Sequence, residues 1–143
     1  MNRVSMTMDS RPENISFARV VVAGFMAPLD PSVDEVSDIK TAVSEAVTNA
    51  IIHGYPEGAV ASGTVRMTLT AAGCNLTIVV SDDGVGIADI ETAREPLFTT
   101  KAELERSGLG FTVMESFMDS VTVESAPGQG TTITLAKKLA SRE

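Results

Sequence analysis

The sequence predicts an α+β fold, a two-layer α/β sandwich in which a mixed, mainly antiparallel sheet carries its helices on one face. Three observations support it. Two stretches with helical spacing come early, parted by prolines. Two runs of alternating apolar and polar residues follow, split by a four-residue break, the pattern of an antiparallel hairpin. A short helical stretch and a strand–turn–strand unit then close the chain, and helices with an antiparallel-leaning sheet in this order suggest a two-layer sandwich. At 143 residues the chain is long enough for one core, and it is read as one domain over 1–143.

Taken in order, "VSMTM" alternates and predicts a first strand over Val4–Met8. "ISFARVVVAGFMAPL" has helical spacing and is ended or kinked by Pro28. Asp30 is the expected cap of the next helix, with Pro31 at its first position. That helix is expected from about Val33 to His53, with Gly54 as its stop. "YPEGAVASG" is a loop, and "TVRMTLT" and "NLTIVVSD" form the hairpin around "AAGC". The long glycine- and acid-rich stretch from Asp82 to Gly110 is expected to be a functional lid, approximately 87–107, or a disordered link. "FTVMESFM" is a short helix, and "SVTVESAPGQGTTITLAKK" is a strand, a Pro-Gly turn and a strand.

Composition narrows the function classes. A net charge of −8 with no basic stripe argues against a nucleic-acid surface, and the C-terminal "KKLASRE" reads as a solvated tail. The single cysteine, Cys74, is expected to be a turn residue, and its solitude fits a reducing cytoplasm. The longest apolar run, "VVVAGFMA", is too short to span a bilayer, and the N-terminus lacks a signal-peptide pattern. The seven methionines are read as core filler.

Four stretches carry candidate chemistry. In "SEAVTNAIIHG", Glu45, Asn49 and His53 recur every fourth residue and share one helical stripe. A solvated helix edge explains this, with His53 suiting the helix dipole. So does a Mg²⁺–phosphate site, in which the Asn49 amide oxygen is a hard ligand and Glu45 accepts a proton from an attacking hydroxyl. In "SDDGVGI", Asp82 is an acceptor at a strand end, with Gly84 and Gly86 where backbone must come close; a plain turn explains this too. In "RSGLGF", Gly108 and Gly110 precede a helix and expose amides toward an anion, flanked by Lys101 and Arg106; a glycine hinge is the alternative. In "GQGTTITL", Gly130-Thr131 starts the last strand. No P-loop and no G-x-G-x-x-G is present.

The order of these four boxes resembles the Bergerat-type ATP-binding fold shared by type II topoisomerases, heat-shock chaperone ATPases, mismatch-repair ATPases and sensor histidine kinases. Closer still, "FARVVVAGFMAPLDP", "IKTAVSEAVTNAIIHGYP", "DDGVGI", "EPLFTTKAELERSGLGFTVMESFMD" and "VESAPGQGTTITL" resemble the anti-sigma F family of endospore-forming bacteria, small serine kinases of that superfamily. The likeness runs from about Val4 to Lys138, and its most specific part is Glu95 to Met118. The loop "PEGAVASG" and the tail "LASRE" depart from it without touching a box.

The resemblance implies an ATP-bound homodimer that holds sigma factor F away from core RNA polymerase. It also implies transfer of the γ-phosphoryl group to a serine of an anti-anti-sigma factor, in the cytoplasm of the predivisional cell and forespore. By it, Glu45 is the catalytic base and Asn49 the Mg²⁺ ligand. Asp82 reads adenine with Thr131, and Gly84 and Gly86 shape the base pocket. Gly108 and Gly110 present amides to the phosphates, Lys101 and Arg106 on the lid stabilise phosphate charge, and Thr99, Thr100, Ser107 and Leu109 also contact the nucleotide. Arg19 is assigned to protein partners, and His53 either lines the site or caps its helix. Three other readings remain: a general-stress anti-sigma kinase, an ATP-gated module that sequesters a partner without kinase turnover, and an ATPase that hydrolyses ATP with water. Glu45 speaks against the second, since a pure binder needs no base.

Overall fold

The computed structural model describes residues 1–54, 63–86 and 110–140. Strand β1 (Asn2–Asp9) leads into helix α1 (Glu13–Met26), and a 3₁₀ turn over Ala27–Leu29 follows, tightened where Pro28 cannot continue an α-helix. Asp30 ends that turn in the left-handed region at φ 53° and does not cap the next helix. The cap is Ser32. Its hydroxyl accepts the Glu35 amide N–H at 3.1 Å, and the Glu35 carboxylate accepts the Ser32 amide N–H at 2.8 Å. This is the reciprocal box that the text Ser-Val-Asp-Glu encodes, so the expected cap was two residues early and Pro31 lies before the helix.

Helix α2 (Val33–Thr48) runs into a π turn over Asn49–Gly54. The expected single α-helix to His53 therefore changes its winding at Asn49. Ser10, fully buried after β1, donates its hydroxyl to the Ile51 carbonyl within that turn at 3.4 Å. The hairpin follows as β2 (Thr64–Ala72) and β3 (Asn75–Asp82), its loop shortened to Gly73 and Cys74, which confirms Cys74 as a turn residue. Helix α3 (Phe111–Phe117), β4 (Ser120–Ser125) and β5 (Thr131–Lys138) complete the described chain.

The five strands form one sheet in the order β1-β2-β3-β5-β4. Each described pairing is antiparallel, so the parallel pair of a mixed sheet is not among the described residues. Alternation sends Val65, Met67 and Leu69 of β2, Leu76, Ile78 and Val80 of β3, and Ile133 and Leu135 of β5 to one face. There they meet Val22 and Met26 of α1, Ile39, Val43 and Val47 of α2, and Phe111 and Met114 of α3. Each such side chain contributes about 1.5–3 kcal/mol on burial. The other face is rich in hydroxyls, including Thr68, Thr70, Thr77 and Thr134.

The end of the described chain is not a solvated tail. Leu139 is buried and donates its amide N–H to the Cys74 carbonyl at 2.8 Å. Ala140 donates its amide N–H to the second Glu35 carboxylate oxygen at 2.9 Å. One carboxylate thus ties the start of α2 to the chain beyond β5.

Candidate active site

The polar residues of the core mark the site. Among the described residues, Asn49, Asp82, Thr131 and Ser10 are the buried polar or charged ones. Asn49 and Asp82 come from elements far apart in sequence, the end of α2 and the end of β3.

Glu45 and Asn49 lie one α-turn apart, and the Asn49 amide N–H reaches back to the Glu45 and Ala46 carbonyls. The four-residue repeat therefore carries from Glu45 to Asn49. From Asn49 to Gly54 the backbone is a π turn, which bonds residues five apart. Burial pushes the Glu45 carboxyl above its ordinary range. Oδ1 of Asn49 is a buried oxygen that accepts no hydrogen bond from the described residues, while the residue is anchored through its backbone. A hard, neutral oxygen of this kind fits Mg²⁺, which takes few protein ligands and completes its shell with water and phosphate oxygens. No group of three or more His, Cys, Asp or Glu among the described residues is arranged to hold a metal.

Gly110 has a part that sequence reading missed. It caps α3 in the left-handed region at φ 62°, and a Cβ there would lie 2.1 Å from the Glu45 carboxylate oxygen Oε2. The glycine makes room for Glu45 at the point where the segment after β3 returns to the fold.

The two adjacent aspartates are separated by the pleat. Asp83 turns outward into a two-pronged ion pair with Arg66, at 2.8 and 3.0 Å, which lowers its carboxyl below the usual range. Asp82 turns inward and is buried. Burial raises its pKa, opposed by hydrogen bonds from the Gly84 amide N–H, at 2.9 Å to Oδ1, and from the Thr131 backbone N–H. Gly84 thus braces the carboxylate. Gly86, at φ 75°, packs against the turn between β4 and β5, where a Cβ would fall 2.0 Å from the Ala126 carbonyl oxygen. The Gly128 amide N–H bonds the Val85 carbonyl at 2.7 Å, completing the join.

Thr131 stands opposite Asp82 across β3 and β5, and Ser125 stands opposite Thr131 across β4 and β5. Ser125 went unnoticed in the sequence. Its only signal was position, since it and Thr131 flank the same turn. Arg19 is exposed and lies elsewhere, in a groove of about 360 Å³ between α1 and the first half of α2, together with Val36 and Lys40. Thr99, Thr100, Lys101, Arg106, Ser107, Gly108 and Leu109 lie outside the described residues, as does the side chain of His53. No helix among the described residues is long and apolar enough to cross a membrane.

The family described as "Histidine kinase-like ATPase domain" matches residues 8–137. The anti-sigma F factor of Bacillus subtilis is 54% identical over 138 residues, covering 96% of this chain and 93% of that one. The anti-sigma F factor of Geobacillus kaustophilus is 55% identical over 139 residues, covering 97% and 94%. In fold, the chain matches the RsbU and RsbW domains of Rv1364c from Mycobacterium tuberculosis with a TM-score of 0.69 at 22% identity, over 99% of this chain and 34% of that one. An α+β sandwich of the ATPase kind is thus matched in sequence over almost its whole length, and the chain belongs to the anti-sigma F factor family of the histidine kinase-like ATPase domains.

Proposed function

We propose that this chain is an anti-sigma factor that binds and inhibits the sporulation sigma factor F. As a homodimer it also transfers the γ-phosphoryl group of Mg-ATP to a serine of an anti-anti-sigma factor. The observation that carries the kinase reading is Glu45, a half-buried carboxylate with a raised pKa, seated against Gly110 one turn before Asn49.

A serine hydroxyl is a poor nucleophile while it keeps its proton, and Glu45 is the group that accepts it as the oxygen attacks. Gly110 leaves that carboxylate its place, and Asn49 directs a hard oxygen into the same region. Mg²⁺ bound through Asn49 would neutralise phosphate charge. Asp82, braced by Gly84 and Thr131, accepts a hydrogen bond from the exocyclic amine of adenine. Lys101 and Arg106 stabilise the phosphates from the lid, with Thr99, Thr100, Ser107, Gly108 and Leu109 completing the nucleotide contacts. Arg19, in the groove it shares with Lys40, meets protein partners away from the nucleotide.

The test is phosphotransfer from γ-labelled Mg-ATP to the host's candidate anti-anti-sigma protein, with wild type, Glu45→Ala and Arg19→Glu in parallel. The expected outcome is label on a partner serine, reduced by about 10²–10⁴ in Glu45→Ala while ATP binding persists. Arg19→Glu should lower partner binding and leave ATP binding intact. ATP binding with no transfer by wild type would instead support a sequestering module for that pair.

A further inference from the structure

We propose that Ser125 is a positioning residue that sets the hydrogen-bond polarity of the base-reading site: it takes the hydroxyl proton of Thr131, leaving Thr131 and Asp82 as acceptors only. Such a face admits a purine with an amino group at position 6 and turns away one with a keto group there. The inference rests on the reading of Asp82 as the adenine-binding residue.

The argument begins with register. Val65, Asp82, Thr131 and Ser125 stand opposite one another across β2, β3, β5 and β4, so their side chains share the helix-covered face. Ser125 Oγ lies 2.8 Å from the Gly130 carbonyl oxygen and 2.8 Å from Thr131 Oγ1. A carbonyl only accepts, so the bond to Gly130 uses the one proton that Ser125 owns. The contact between the two hydroxyls is then filled by the proton of Thr131. In the reverse assignment, the serine oxygen and the Gly130 carbonyl would face each other at 2.8 Å with lone pairs and no hydrogen between them. Only the first arrangement makes both contacts hydrogen bonds.

With its proton committed to Ser125, Thr131 offers lone pairs to whatever lies beside Asp82. Asp82 is itself held as an acceptor by the amide N–H groups of Gly84 and Thr131. The exocyclic amine of adenine brings two N–H donors to such a face. The O6 of hypoxanthine brings an acceptor, which would be buried against acceptors and left unsatisfied. Ser125 reaches the base through Thr131 and not by contact.

Calorimetric titration with three diphosphates tests this: ADP (amino at position 6), purine riboside diphosphate (hydrogen there) and IDP (keto there, with a proton on N1). Wild type should bind ADP best and IDP worst, with IDP about tenfold weaker than the unsubstituted purine. Ser125→Ala frees the Thr131 proton to turn toward O6, so the ADP-to-IDP preference should fall by about tenfold, and Ser125→Thr should restore it. If Ser125→Ala weakens all three ligands equally, or wild type binds IDP as well as the unsubstituted purine, the inference is overturned. If wild type does not favour ADP over the unsubstituted purine, the Asp82 reading fails first and takes the inference with it. The wild-type series can overturn the inference without any variant, and the Ser125 variants assign the effect to that residue.

Discussion

Glu45 is a carboxylate whose burial opposes ionisation, and that has a thermodynamic sign. Its folded-state pKa stands above the unfolded value, so between the two the folded chain holds more protons and stability falls as pH rises. Glu45→Gln removes this penalty. Its unfolding midpoint in denaturant should exceed that of wild type near neutral pH, and the gap should close as pH falls to about 4, where the unfolded carboxyl also takes up its proton. A constant gap across that range would mean that packing against Gly110, not ionisation, sets the difference. The residues that define the site were legible unevenly. Glu45, Asn49 and Asp82 announced themselves because a charged or amide group beside an apolar stripe needs a reason. Gly110's service to Glu45 and Ser125's to Thr131 were invisible, because each depends on a contact between distant segments that no local pattern encodes.

At the scale of elements, the sequence marks helices and strands by period and their ends by chemistry. The alternation of β2 and β3 was plain, and the structure extends those strands by only two residues at the turn. The start of α2 at Val33 was read correctly, but its cap was misplaced because Asp30-Pro31 is a strong local signal, while Ser32 and Glu35 act as a pair. The π turn was missed because Asn-Ala-Ile-Ile-His-Gly has an ordinary helical composition; the buried Ser10 hydroxyl on the Ile51 carbonyl comes from another part of the chain. The cap makes a quantitative prediction. Ser32→Ala should cost about 1 kcal/mol in chemical denaturation. Glu35→Ala should cost more, because its carboxylate also receives the Ala140 amide N–H. Equal losses would show that the tie beyond β5 contributes nothing to stability.

For the whole molecule, amphipathic helices together with antiparallel hairpins were enough to give the two-layer architecture, since helices that bury one stripe need a sheet face to bury it against. The order of strands within that sheet was not recoverable, because register is a long-range property. Binding of nucleotide to the folded state alone must stabilise the entire chain. ATP with Mg²⁺ at about 100 times its Kd should add about 2.7 kcal/mol. Thermal melting should show this as an upward shift that Asp82→Asn diminishes; an undiminished shift would place the base contact elsewhere.

The sheet order has a kinetic meaning as well. Asn2 pairs with Ala71, and Asn75 pairs with Lys138, so two of the four strand pairings join distant stretches of chain, while β2–β3 and β4–β5 are neighbours in sequence. During synthesis β1 leaves the ribosome before β2 exists, and the edge that pairs with β2 stays open until α1, α2 and β2 have followed. The central seam between β3 and β5 closes only when the last strand arrives. Contacts of such long reach carry a large loop-closure cost and slow folding. The cooperative core on which both ends of the candidate site depend is therefore assembled last, after nearly all of the described chain has been made.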